Sequence, residues 1–199
     1  MEYRNFGKAG VKVSPICLGT AFRGQEDESI CIETVERALG LGCNFIDCAN
    51  IYGLGRSETI VGKVLKGKRQ DVVLTTKVRS PVGSGPNDQG LSRFHIMREV
   101  EKSLRRLQTD YIDVYLMHAY DNETPIDEGL RAMDDLVHQG KVRYVGVSNF
   151  TGWQMVDALW SCSVNSVEPF ICTQSQYNLL HRWDIENDLM PVCRKYGLG

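Results

Sequence analysis

No stretch of this sequence approaches the roughly 20 consecutive apolar residues that a membrane-spanning helix needs. Nor is there a surplus of basic charge. Lys and Arg total 23 against 25 Asp and Glu, for a formal net charge of −2. That balance excludes the basic footprint of a general nucleic-acid binder and of a polybasic membrane-surface protein. The opening residues, Met1-Glu2-Tyr3-Arg4-Asn5, hold no apolar signal region. The expected setting is the cytoplasm, with neither a membrane nor nucleic acid as a partner.

Metal and disulfide signatures are also missing. None of the seven cysteines (Cys17, Cys31, Cys43, Cys48, Cys162, Cys172 and Cys193) forms a C-x-x-C pair, and their number is odd. Most sit in apolar stretches, where a thiol acts as a small hydrophobe. Four scattered histidines without an H-E-x-x-H pattern give no zinc site, so no metal is expected. The dinucleotide fingerprint fails too. Gly19-Thr20-Ala21-Phe22-Arg23-Gly24 does not fit G-x-G-x-x-G, and Gly53-Leu54-Gly55 is followed by Glu58 where the third glycine belongs. Gly62-Lys63 leads into Val64, so there is no phosphate-binding P-loop either.

What the sequence does have is alternation. Apolar, β-branched runs at Ile16–Thr20, Asn44–Cys48, Val72–Lys77, Ile112–His118, Val142–Ser148 and Ile171–Gln174 read as strands. Several are nearly continuous, as strands covered on both faces should be. Helical spacing lies between them. Met97, Val100, Leu104 and Leu107 form one apolar stripe, and Ile126, Leu130, Met133 and Val137 form another. Thr124, Pro125 and Asp127 predict an N-cap, a first helical position and a capping box; Thr151 with Gln154 predicts a second box. A further helix is expected from about Asp184 to Tyr196. Six β/α units in succession imply an α/β fold with a parallel sheet, either open and doubly wound or closed as an eight-stranded barrel. With no linker or composition shift, residues 1–199 are expected to form a single domain.

Polar residues gather at one end of these strands: Asp47, Lys77, His118, Ser148 with Asn149, and Gln174. Taken singly, each has an ordinary explanation as a loop cap, a strand-end charge or a buried histidine. In a parallel barrel, however, all of these ends share one face. Tyr52 follows just after the second strand. A phenol with a pKa of about 10 is a poor acid near neutrality unless a neighbouring ammonium stabilises its anion. Lys77 is the candidate ammonium and Asp47 its ion-pair partner, while His118 is placed to polarise a carbonyl. Together they suit a carbonyl oxygen that gains charge and takes a proton.

These segments resemble the aldo/keto reductase family. The resemblance runs through Leu18-Gly19-Thr20, Phe45 to Gly53, Gly55-Arg56-Ser57-Glu58, Thr75-Thr76-Lys77, Leu107 to Asp113, Leu116-Met117-His118, Gly140 to Phe150 and Gln174 to Leu180, all in family order. It implies a (β/α)8 TIM-type barrel and NADPH-dependent, reversible reduction of an aldehyde or ketone. Tyr52 matches the family's proton donor, Asp47 and Lys77 its charged partners, and His118 the residue that binds and polarises the carbonyl. Ser148, Asn149 and Gln174 match contacts to the nicotinamide carboxamide. Gly19 and Thr20 match the loop beside NADPH/NADP+, with Asp47 also near it. Phe22, with Tyr120 or Trp153, is the candidate apolar wall for the small-molecule carbonyl substrate.

A full barrel of this kind takes about 250 residues and eight strands, and six strands are read here. The resemblance therefore implies a chain lacking the last two β/α units. Unpaired edges on its first and sixth strands are then expected, along with weak or absent NADPH binding and an activity of its own in question. The family also includes channel-associated relatives, so the alternative is a non-enzymatic, cofactor-binding regulatory subunit of the same fold. Oligomeric state and the particular carbonyl substrate are not legible.

Overall fold

The strand-forming runs pair in chain order. The computed structural model describes residues 1–199. A short hairpin, β1 (Arg4–Asn5) and β2 (Lys12–Val13), precedes β3 (Leu18–Gly19), β4 (Phe45–Asp47), β5 (Val73–Val78), β6 (Ile112–Met117), β7 (Val142–Ser148) and β8 (Cys172–Gln174). The last six form one parallel sheet in the order β3-β4-β5-β6-β7-β8. Between them lie α1 (Glu28–Gly40), α2 (Arg56–Leu65), α3 (Arg93–Leu107), α4 (Ile126–His138) and α5 (Gly152–Asn165), with α6 (Met190–Tyr196) after β8. The sheet with its flanking helices is the partial (β/α)8 barrel expected. All of the expected strands are present, each within a few residues of its predicted ends. No helix is long and apolar enough to cross a membrane.

Because side chains alternate along a strand, the sheet has two apolar faces. Ile46, Leu74, Val78, Tyr115, Met117, Val145 and Val147 pack outward against the helices in one cluster of 31 buried residues. Val73, Val114, Leu116 and Cys172 point the other way, into a smaller cluster that Ala9 and Val13 of the hairpin region close from below. Phe6 meets Phe45 edge-on there, with ring centroids 5.1 Å apart. Along the inner face, Phe45, Val73 and Cys172 are followed two residues later by Asp47, Thr75 and Gln174, while β6 stays apolar through Val114 and Leu116 until His118. That gradient leaves a sealed floor and a polar mouth.

Three local expectations are corrected. Thr124 does not cap α4: Pro125 is the N-cap residue and gives no side-chain bond, because the Thr124 hydroxyl donates to Asp121 at 2.7 Å. The capping box at Thr151 and Gln154 does form. The expected helix after Asp184 opens as a π-helical turn, Ile185–Leu189, before α6. Finally, the outer edge of β8 is not bare. Gly199 N–H donates to Ile171 O, and Thr173 N–H donates to Gly199 O, both at 2.9 Å.

Five of the seven cysteines are buried and all are free thiols, in keeping with their reading as small hydrophobes. Gly146 on β7 faces the inner cluster at a point where a Cβ would collide with Leu116 and Cys172. Gly146→Ala is expected to overpack this layer and cost about 1–3 kcal/mol, measured as a lowered urea midpoint with an unchanged slope.

Candidate active site

The strand ends carry their polar side chains to one mouth, and the tightest grouping forms around Lys77. Its side chain is fully buried, so all three ammonium protons need acceptors. They find Asp47 Oδ2 at 2.7 Å, Cys48 O at 2.8 Å and the Tyr52 hydroxyl oxygen at 3.2 Å. The third contact is directional. Tyr52 accepts from Lys77, which leaves its own O–H free to donate elsewhere. The ammonium also stands 4.7 Å from the Tyr52 ring centroid.

Tyr52 reaches this position on a tight turn. Gly53, Leu54 and Gly55 follow with φ of 58°, 53° and 97°, three left-handed residues in a row before α2 begins. Glycine adopts this conformation freely and leucine does not. Behind the turn, Ser57 Oγ meets Thr20 Oγ1 at 2.8 Å, and the Thr20 hydroxyl donates to Asp47 O at 2.9 Å. Glu58 is completely buried. It accepts from Thr76 Oγ1 and from Arg106 Nε, each at 2.6 Å. Residue 58 interrupts the glycine pattern in the sequence, and here it ties α2 and α3 to the strand that bears Lys77.

His118 closes the other side of the mouth. Its ring lies edge-on to Tyr52, centroids 5.8 Å apart, and Nδ1 is 3.4 Å from Ser80 Oγ. Burial, with the charges of Lys77 and Arg79, pushes its pKa down to about 4, so the ring is neutral at neutral pH. Burial likewise pushes the Asp47 carboxyl above its usual range, against the pull of Lys77. Tyr52 and His118 open on a cavity of about 340 Å³ that Ala21, Arg23, Ile51 and Gly53 also line.

The residues expected at the cofactor lie next to this group. Ser148 and Gln174 are register partners on β7 and β8. Asn149 N–H donates to Gln174 O at 3.0 Å, and its side-chain amide donates to His118 O at 2.9 Å and Ser148 Oγ at 3.0 Å. Gly19 and Thr20 run beside Asp47 through the β3–β4 register and the Thr20 N–H to Asp47 O bond. The structure therefore brings Asp47, Tyr52, Lys77 and His118 together and sets Gly19, Thr20, Ser148, Asn149 and Gln174 around them. Tyr120 packs against Phe150 and Trp153 at 5.2 and 6.0 Å, while Phe22 is half-buried against the edge of the sheet–helix core.

Two features suit a nicotinamide nucleotide. Asp47 Oδ1 is buried without a hydrogen-bond partner, and the space above Gly19 is open, since a Cβ there would meet nothing within 4 Å. Sequence reasoning missed Ser80 and Glu58 as parts of this assembly. Glu58 stood inside a quoted motif, but its partner Arg106 is 48 residues away.

A partial parallel β/α barrel with an ammonium-backed tyrosine at its C-terminal mouth places the chain in the class of parallel β/α-barrel proteins. The sequence matches the model described as the aldo/keto reductase family over residues 15–199, and the chain belongs to that family. It is 42% identical to "Uncharacterized oxidoreductase YrpG" of Bacillus subtilis (strain 168), over all of this chain and 64% of that protein. It is 37% and 36% identical to proteins named "Probable voltage-gated potassium channel subunit beta" from Oryza sativa subsp. japonica and Arabidopsis thaliana. Those alignments again cover the whole chain, and 62% of each relative.

Two measurements test the site's energetics. Asp47→Ala strands the Lys77 ammonium in a buried position and is expected to cost about 3–5 kcal/mol of stability, read by urea unfolding. The unfolded chain takes up the His118 proton near the ordinary histidine value, the folded chain only at about 4. Stability is therefore lost as pH falls from 6.5 to 4. Unfolding free energies at pH 6.5 and 4.5 are expected to differ less in His118→Asn than in the unsubstituted chain.

Proposed function

We propose that this site reduces an aldehyde or ketone to an alcohol, reversibly, with NADPH as the reductant. The observation that carries the reading is the contact between the Lys77 ammonium and the Tyr52 hydroxyl oxygen at 3.2 Å. A proton leaving Tyr52 leaves an anion beside a buried cation that is itself held by Asp47. Tyr52 is thus the proton donor to the carbonyl oxygen. The neutral His118 ring donates a hydrogen bond to the same oxygen and orients it.

Ser148, Asn149 and Gln174 are the groups that would hold the nicotinamide carboxamide, with Gly19, Thr20 and Asp47 beside the nucleotide. When bound, the reduced nicotinamide supplies the hydride. The buried, preordered network of Lys77 supplies charge stabilisation without reorganisation. The reading concerns a whole protein of the relatives' length as much as this chain, which spans 62 to 64% of them.

A second reading has its own support in the two plant relatives named as channel subunits. Under it, the chain keeps a cofactor site and acts as a regulatory subunit. The reductase reading is tested by NADPH oxidation at high cofactor concentration with a reactive aromatic aldehyde. Tyr52→Phe is expected to lower kcat/KM at least about 100-fold while circular dichroism stays unchanged. Turnover equal in both proteins removes Tyr52 from the chemistry. A silent chain that co-purifies with a membrane channel gives the lead to the regulatory reading.

A further inference from the structure

His118 is pinned along its main chain on both sides. Its N–H donates to Val78 O at 2.9 Å, and its carbonyl accepts from the Asn149 side-chain amide, also at 2.9 Å. Neither bond touches the imidazole, so neither decides which ring nitrogen carries the hydrogen. In a neutral imidazole one nitrogen donates and the other accepts, and the partner of one nitrogen settles the state of both. Polarising a carbonyl requires that the donor be the nitrogen facing it.

One hydroxyl reaches the ring. Ser80 Oγ lies 3.4 Å from His118 Nδ1, and no other group of the chain hydrogen-bonds the imidazole. The Ser80 side chain is half-buried and has no second hydrogen-bond partner. Nε2, on the far side of the ring, makes no bond within the chain and is not enclosed. The ring lines the cavity that it shares with Tyr52. The two nitrogens therefore have unlike surroundings: a hydroxyl at Nδ1 and an open cavity beside Nε2.

The chain delivers Ser80 by a strained route. β5 ends at Val78, and Arg79 follows with φ of 140°, a left-handed conformation that a non-glycine residue rarely adopts. Gly90 N–H holds the turn by donating to Arg79 O at 2.8 Å. Strain of this kind persists only where the surroundings over-determine it, and it gathers at functional sites. Burial, with the charges of Lys77 and Arg79, leaves the ring a single hydrogen at neutral pH. An imidazole nitrogen accepts more strongly than a serine oxygen, so the better pairing has the hydroxyl as donor. The reverse tautomer would give its only N–H to Ser80 and turn a lone pair towards the carbonyl oxygen.

We propose that Ser80 is a positioning residue of the carbonyl site: its hydroxyl donates to His118 Nδ1, which keeps the ring hydrogen on Nε2 and directs that N–H into the cavity beside Tyr52. This rests on the reductase reading for the identity of the oxygen that Nε2 meets. Ser80 acts through His118 and takes no part in the transfer of hydride or proton.

The test reads the ring first and turnover second. Long-range proton–nitrogen correlation spectra of the full chain, labelled with nitrogen-15 at histidine, are recorded near neutral pH for the unsubstituted chain, Ser80→Ala and Ser80→Thr. The His118 signals are those missing from His118→Asn. The unsubstituted chain is expected to show one species, with the hydrogen on Nε2, and Ser80→Ala a signal averaged over both tautomers. With NADPH and 4-nitrobenzaldehyde, Ser80→Ala is expected to lower kcat at least about threefold at an unchanged KM for NADPH, because the competent fraction of the ring scales the rate. Ser80→Thr, which keeps the hydroxyl, is expected to retain both properties. A hydrogen on Nδ1 in the unsubstituted chain, or Ser80→Ala spectra identical to its own, overturns the proposal. So does a loss of kcat with the ring signals unchanged, the mark of a merely structural role, or a mixed tautomer with turnover unchanged. A tautomer that depends on Ser80 in a chain that turns over no aldehyde upholds the positioning of the ring and overturns the reductase reading alone.

Discussion

A buried ammonium leaves the chain around it little choice. Lys77 has no access to water, and three acceptors must come to it from separate pieces of structure: a carboxylate at the end of β4, a main-chain carbonyl one residue later, and a phenol on the following turn. The left-handed residues 53 to 55 are the local consequence, since the chain must bring Tyr52 inward and then turn at once into α2. Ser57 and Glu58, at the start of that helix, anchor the turn from behind through Thr20 and Thr76. Removing the need to satisfy Lys77 removes the reason for this whole arrangement.

The two faces of the sheet divide the remaining work. The outer face holds the larger apolar cluster and, set within it, the Glu58–Arg106–Thr76 group, which joins two helices to β5 without entering the mouth. The inner face is apolar at its base and polar at its top, and the N-terminal hairpin shuts the base. Chemistry is thereby confined to one end. The tie from Asn149 to His118 and Gln174 makes β6, β7 and β8 contribute to one surface there. The channel-subunit names of the plant relatives and the oxidoreductase name of the bacterial one meet on this architecture, because the fold alone does not choose between the two roles.

Much of this was legible in the residues alone. The order of strands and helices, the apolar stripes of α3 and α4 and the capping box of α5 follow from short-range periodicity, and they appear where they were expected. The gathering of Asp47, Tyr52, Lys77 and His118 was legible too, because a parallel barrel collects its strand ends on one face and period-two alternation aims them inward. The misses are of another kind. Thr124 has a capping residue's chemistry, yet Asp121 takes its hydroxyl. Glu99 lies outside the apolar stripe of α3, yet it is buried and paired with Lys102 and Arg98.

The sequence by itself determined the class of fold, the polarity gradient along the strands and the residue types at the mouth, since these depend on neighbours two to four positions apart. Only the tertiary structure decided which polar group finds which partner. Glu58 meets Arg106 across 48 residues, Lys77 meets Asp47 across 30, and Gly199 covers the edge of β8. Those outcomes turn on hydrogen-bond geometry and on the exclusion of water, and neither exists until distant segments are packed together.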